Sequence, residues 1–196
     1  VRVPHDWAIE RGFLKPGACP GQGDLPFVGK GLYRRAFDGF TPPPGGRTYL
    51  TLDGVQCRSV VRLNGKVVGG RPFGYASETI DVTDALVPTG NVLEVEAENV
   101  EKSSRWYPGS GIFRDVTVRV CPPDHVKPNT LFVRTLEATE KSARVAVSFE
   151  HRGGVSNFTF TVENPRLWSP ERPALYALEL FGETFRYGIR TAAFDP

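Results

Sequence analysis

The sequence predicts an all-β protein made of packed antiparallel sheets. Three observations carry this. Apolar residues recur at every second position in one segment after another. Turn dipeptides separate those segments. Gly (21) and Pro (17) together form about 19 % of the 196 residues, against roughly 12 % in an average domain. No stretch shows an amphipathic helical period of useful length.

Taken in chain order, the first clear strand signal is Leu50 and Leu52, after the loop Pro42-Pro43-Pro44-Gly45-Gly46, which cannot lie inside a strand. Asp53-Gly54 is a weaker turn signal, because a bulge would use the same residues. Asn64-Gly65, between apolar runs at 60–63 and 66–68, predicts a two-residue hairpin. A type I′ turn needs positive φ at both central residues, and Asn-Gly supplies it. Asp81-Val82-Thr83-Asp84-Ala85-Leu86 reads as a short helical turn capped by Asp81 or Thr83.

Leu93, Val95 and Ala97 then alternate with Glu94, Glu96 and Glu98, a strand with one apolar and one acidic, wet face. A one-residue slip would expose the apolar set, so the pattern fixes register as well as type. Val116, Val118 and Val120 point to one face of the next strand. Cys121-Pro122-Pro123-Asp124 stops that strand and stiffens a connector. The chain is therefore divided into domains at 1–121 and 122–196. In the second, Val145, Val147 and Phe149, then Phe158, Phe160 and Val162, then Tyr176, Leu178 and Leu180, repeat the alternation, with Gly153-Gly154 as a hairpin turn. The sequon Asn157-Phe158-Thr159 falls mid-strand and is read as accidental.

Composition excludes several function classes. The net charge is +2 and Lys and Arg are interspersed with Asp and Glu, which argues against nucleic acid as a partner. No apolar run is long enough for a membrane-spanning helix. Cys19, Cys57 and Cys121 are few, odd in number and far apart, and are read as free or buried thiols. His5, His125 and His151 are also dispersed, so neither a metal nor a cofactor is expected. The absence of Met suggests a processed or excised piece of a longer protein, and the compartment is left unassigned.

The richest stretch is 105–115, Arg-Trp-Tyr-Pro-Gly-Ser-Gly-Ile-Phe-Arg-Asp. An indole can cover the apolar face of a pyranose, and a guanidinium can grip hydroxyls or a carboxylate bidentately. Arg105 and Trp106 are thus candidate carbohydrate contacts, with Tyr107 and Asn99 behind them. The competing reading is a structural loop whose Trp caps the sandwich edge. Tyr75, after Gly74, could stack on ligand or fill the core. No catalytic pair is expected in this chain: Glu94, Glu96 and Glu98 lie on a solvated strand face, and a glycosidase needs two carboxylates flanking the scissile bond. His5-Asp6 has no nucleophile motif beside it and is read as structural, with Trp7 buried and His5 bonded to backbone. Gly109-Ser110-Gly111 precedes a strand and fails as a dinucleotide loop.

The motifs together resemble family 2 glycoside hydrolases, in particular the β-galactosidase-like members. Pro4-His5-Asp6-Trp7, Gly31-Leu32-Tyr33-Arg34-Arg35-Ala36-Phe37, Asp53-Gly54-Val55 and Val61-Arg62-Leu63-Asn64-Gly65-Lys66 carry the likeness in the first half. So do Gly74-Tyr75, Asp81-Val82-Thr83-Asp84 and the 105–114 loop. Asn164-Pro165-Arg166-Leu167-Trp168-Ser169-Pro170-Glu171, Pro173-Ala174-Leu175-Tyr176 and Tyr187-Gly188-Ile189-Arg190-Thr191 with Phe194-Asp195 carry it in the second. The chain departs from the pattern at Leu32, where Trp is usual, and at Glu98, where Asp often precedes Asn99.

The resemblance implies a jelly-roll, galactose-binding-like sandwich followed by a short immunoglobulin-like sandwich. It implies the non-catalytic front of a retaining exo-β-glycosidase, with β-galactosides the first-choice substrate and glucuronides or mannosides behind. Both catalytic glutamates would lie on a (β/α)8 barrel of the same polypeptide, absent from this chain. In that family the loop at 105–107 reaches toward the active site, while Trp168 and Tyr187 are packing residues. Subunit pairing into a homo-oligomer is left open. The alternative function is a stand-alone carbohydrate-binding module without hydrolase activity, and a structural spacer is a third.

Overall fold

The computed structural model describes residues 1–13, 15–17, 29–100 and 106–192. The chain forms two compact units, Val1–Pro122 and Pro123–Pro196. The first holds helix α1 (Trp7–Arg11) and strands β1 (Gly29–Phe37), β2 (Arg47–Leu52), β3 (Val60–Leu63), β4 (Lys66–Gly69), β5 (Glu78–Asp81), β6 (Asn91–Asn99) and β7 (Val116–Cys121). They build an antiparallel four-stranded sheet in the order β1-β6-β3-β4 and a three-stranded sheet in the order β5-β2-β7.

The alternation in β6 explains the packing. Val95 and Ala97 are buried in a core shared with Leu50, Leu52, Val61, Leu63 and Ile80 from both sheets and with Ile112 from the loop before β7. Each fully buried Val or Leu contributes about 1.5–3 kcal/mol. The acidic face is laced with cations instead: Lys30 reaches Glu96 and Glu98, Arg34 reaches Glu94, and Arg62 reaches Glu96, at 3.6–3.7 Å. These pairs are solvent-screened and add little each.

The β3–β4 hairpin turns on Asn64 (φ 53°) and Gly65 (φ 79°), the conformation a type I′ turn demands. Asn64 does more than turn. Its Nδ2 donates to Ala85 O (2.8 Å) and to Oδ1 of buried Asn91 (3.0 Å), and its Oδ1 accepts from Val92 N (2.8 Å). The 81–86 segment is a short 3₁₀ turn over Thr83–Ala85. Asp81 Oδ1 accepts from Thr83 N (3.1 Å) and Thr83 Oγ1 (2.6 Å). Asp53-Gly54 makes no hairpin. Asp53 N donates to Asp115 O (3.0 Å), extending the β2–β7 pairing before the chain crosses to the other sheet. A Cβ at Gly54 would lie 2.8 Å from the Phe113 ring.

The second unit contains β8 (Phe132–Ala138), β9 (Ser142–His151), β10 (Gly154–Glu163), β11 (Tyr176–Leu180) and β12 (Glu183–Tyr187). A three-stranded sheet β10-β9-β8 and the β11–β12 hairpin enclose Val126, Val145, Val147, Phe149 and Ile189. The β9–β10 turn centres on Arg152-Gly153, one residue earlier than the Gly-Gly pair suggests, because His151 and Gly154 close the ladder. Cys57 and Cys121 are buried, and Cys19 lies outside the described residues. Burial pushes the Cys57 thiol pKa up.

Candidate functional site

The loop after β6 is held from below by buried polar groups. Asn99 is 1 % exposed. Its Nδ2 donates to Gly109 O (2.8 Å) and Ser110 Oγ (2.9 Å). Gly109 (φ 90°) and Gly111 (φ 101°) occupy backbone conformations that favour glycine. Gly111 and Gln56 exchange both backbone hydrogen bonds at 2.9 Å.

Asp6 anchors the loop from the other side. Its Oδ1 caps α1, accepting from Ala8 N (3.0 Å) and Ile9 N (3.3 Å). The same oxygen accepts the Tyr107 hydroxyl, and Oδ2 accepts Ser110 N at 3.1 Å. Burial first, then the hydrogen bond to Asp6, pushes the Tyr107 phenol well above its usual range. Tyr107 therefore turns inward.

Trp7 follows Asp6 and is partly buried. Its indole lies against Gly31 and Gly111, where any Cβ would intrude. The Tyr33 hydroxyl accepts from Ile112 N (3.3 Å) and shares a second hydrogen bond with His5 Nδ1 at 2.7 Å. The His5 ring is therefore bonded to a phenol and not, as the sequence suggests, to backbone. His5 Nε2 lies 3.0 Å from Glu10 Oε2, off the line of a good hydrogen bond.

Above this base the side chains turn outward. Trp106 is 61 % exposed, and its Nε1 donates to the Tyr75 hydroxyl at 3.3 Å. That hydroxyl donates onward to Pro108 O at 2.9 Å. The Tyr75 ring meets Phe73 edge-on at 5.6 Å and Phe113 at 5.8 Å. Arg114 sits over Phe113 with Cζ 5.3 Å from the ring centroid. Phe73 is also 61 % exposed. The result is an aromatic corner of Phe73, Tyr75 and Trp106, assembled from two loops and open to solvent.

Of the residues singled out in the sequence, Trp106 faces out, Tyr107 and Asn99 lie beneath the loop, and Arg105 falls outside the described residues. Phe73 was not foreseen. The only sequence signal for it is its place in Pro72-Phe73-Gly74-Tyr75, two aromatics flanking a glycine. A Cβ at Gly74 would lie 2.7 Å from Val55 O, so glycine lets this loop press onto 55–56 and lift both rings. Among the described residues, no group of three or more His, Cys, Asp or Glu side chains is placed to hold a metal ion.

Fold and loop define an all-β module that presents aromatic side chains from a rigid sheet. The profile of glycosyl hydrolases family 2 matches residues 115–182. A Formosa agariphila protein named for β-glucuronidase is 30 % identical over 231 residues, covering 98 % of this chain and 22 % of that protein. A Bacteroides ovatus β-galactosidase is 40 % identical over 144 residues, covering 72 % of this chain and 17 % of that protein. The crystal structure of a Bacteroides vulgatus β-glycosidase superposes with a TM-score of 0.81 at 27 % identity, over all of this chain and 30 % of that one. The chain belongs to glycosyl hydrolase family 2. It spans about a fifth of the length of these two curated relatives.

Proposed function

We propose that this chain is the non-catalytic front of a retaining exo-β-glycosidase that removes terminal β-linked sugars, galactosides first. The observation that carries this reading is the Phe73–Tyr75–Trp106 corner, held outward by a loop whose base is tied to Asp6 through Tyr107 and Ser110. An exposed indole on a fixed support suits the apolar face of a pyranose. Trp106 and Arg105 contact the sugar. Tyr107 and Asn99 set the height of the loop from below. Residues 1–121 act as the galactose-binding-like domain and 122–196 as the immunoglobulin-like domain.

The chemistry belongs to the rest of the polypeptide. There, two carboxylates about 5–5.5 Å apart serve as nucleophile and acid/base. Support comes from the family and from relatives named for β-galactosidase and β-glucuronidase.

The test compares the full-length polypeptide with the 196-residue chain on p-nitrophenyl β-galactoside and β-glucuronide. The expected result is galactoside hydrolysis by the former and none by the latter. Trp106→Ala in the full-length enzyme should raise KM more than it lowers kcat. Hydrolysis by the short chain, or an unchanged KM in the variant, would overturn the assignment.

A further inference from the structure

Three exposed arginines, Arg58, Arg71 and Arg114, surround the aromatic corner. Arg114 is fixed against it. Its Cζ lies 5.3 Å from the centroid of the Phe113 ring, which meets Tyr75 edge-on at 5.8 Å. Arg58 and Arg71 stand on the two arms of the ribbon that leads into Phe73. Ser59 N donates to Arg71 O (2.7 Å), Arg71 N to Ser59 Oγ (3.0 Å), and Arg58 N to Pro72 O (3.3 Å). The arms run so close that a Cβ at Gly70 would lie 2.2 Å from Ser59 O. Phe73 therefore leaves a ribbon that carries a cation on each arm.

The fold does not use these charges. Lys30, Arg34, Arg47 and Arg62 pair with carboxylates on the two sheets. Among the described residues, no carboxylate comes within ion-pair distance of Arg58, Arg71 or Arg114. The acids around the corner have other partners. Asp6 holds Tyr107 and Ser110, and Asp53 accepts Ser77 Oγ at 3.0 Å. Glu78 accepts Gly70 N at 3.0 Å, and Glu98 reaches Lys30 at 3.7 Å. Three uncompensated positive charges beside open rings raise the local concentration of anions.

The residue types narrow the ligand further. The exposed rings of Trp106 and Phe73 suit the apolar C–H face of a pyranose. A guanidinium presents a planar fork of donors that matches a carboxylate or a sulfate. Arg114 is already oriented by its contact with Phe113, so it loses less freedom on binding. A neutral sugar would use the rings and leave the cations unmatched. A sugar that carries a negative group uses both.

We propose that the corner is a subsite for an anionic sugar, a pyranose bearing a carboxylate or a sulfate ester. Its ring stacks on the aromatics, Arg114 grips the anionic group, and Arg58 and Arg71 draw it in. This rests on the reading that the corner receives sugar, and it makes anionic β-glycans the substrate class of the intact glycosidase.

The test uses the full-length polypeptide labelled with 5-fluorotryptophan. The fluorine resonance lost in Trp106→Phe identifies the signal from the corner. Methyl β-glucuronide and the 6-sulfate of methyl β-galactoside should shift that signal at about tenfold lower concentration than methyl β-galactoside, the size of one hydrogen bond to a charged group. Arg114→Gln keeps the stem on Phe113 and should cut the preference to below about threefold, while Arg114→Lys should retain more of it. Sodium chloride at about 0.5 M should narrow it as well. A response to both anionic sugars assigns the site to charge, and a response to one assigns it to that group. Equal affinity for the neutral sugar, or an unchanged preference in Arg114→Gln, would overturn the proposal. So would an equal response to inorganic sulfate, which would show an anion site without a sugar. A polypeptide that hydrolyses p-nitrophenyl β-galactoside but shows no anionic preference at Trp106 would keep the glycosidase reading and remove this one. An inactive polypeptide that prefers the anionic sugars would do the reverse.

Discussion

Tyr107 donates its hydroxyl to Asp6 Oδ1 across 101 residues of sequence. The same carboxylate caps α1 and accepts Ser110 N. One side chain therefore fixes both the entry to the first unit and the loop that presents Trp106. Loop position and helix start cannot vary independently.

Asp6→Ala removes the cap, which alone costs about 0.5–2 kcal/mol. It also leaves the Tyr107 hydroxyl and Ser110 N without their acceptor, at about 1–3 kcal/mol when buried. The expected loss is about 2–4 kcal/mol in urea unfolding. Asp6→Asn should lose less, because Asn caps helices well. A double-mutant cycle with Tyr107→Phe should give a coupling of at least about 0.5 kcal/mol. Additive losses would mean that the contact carries no energy.

The raised phenol of Tyr107 makes a pH prediction with a definite sign. Its pKa is elevated in the folded state by burial and by Asp6. The unfolded chain then gives up the proton first, beginning near pH 10. The stabilisation is complete below that point and is lost as pH rises above it. Tyr33, Tyr49 and Tyr187 are raised in the same direction, chiefly by burial, so they add to the trend. Unfolding midpoints should stay level near neutrality and fall above about pH 10. Tyr107→Phe should flatten part of that fall, and an unchanged slope would count against the buried contact.

Much of this architecture can be read from residues that act locally. β6 is legible because one face is buried at Val95 and Ala97 and the other is wet, so period two survives in the sequence. Asn64-Gly65 is legible because its turn needs positive φ. α1 is not, since five residues are too few to show a helical period, and only the Asp6 cap marks it. Val118 reads as a core residue by alternation, yet it is partly exposed because β7 ends its sheet, a fact of neighbours and not of pattern. The Trp106 loop is visible as a motif. Tyr75 is visible as a ring for ligand or core, but its meeting with Trp106 and Phe73 is not, because Phe73 and Tyr75 arrive from a loop some thirty residues earlier.

Gly31 and Gly111 flank one indole, and they should not tolerate substitution equally. A Cβ at Gly31 would lie 2.5 Å from Trp7 Cζ3. A Cβ at Gly111 would meet both the Tyr33 hydroxyl and the Trp7 ring, in a backbone at φ 101°. Overpacking costs about 1–3 kcal/mol, and a strained φ adds about 1–3 kcal/mol more. Gly111→Ala should therefore destabilise more than Gly31→Ala. Thermal unfolding of the two variants checks the order, and equal losses would show that Trp7 can shift aside.

Trp106 and Phe73 provide the sharpest separation of binding from packing. A buried aromatic replaced by Ala costs about 3–5 kcal/mol. Trp106 is mostly exposed and donates a hydrogen bond to Tyr75, so Trp106→Ala should cost only about 1 kcal/mol. Phe73→Ala should be similarly mild, since its described ring partner is Tyr75 at an edge. If the corner receives sugar, each variant weakens galactoside affinity far more than stability. The two losses should then be coupled, because both rings are positioned through Tyr75. Tyr75→Phe supplies the remaining discrimination: it keeps the ring contacts, releases the Trp106 indole and Pro108 O from the hydroxyl, and should reduce affinity with the fold intact. A large stability loss in Trp106→Ala with affinity unchanged would make the corner a packing feature.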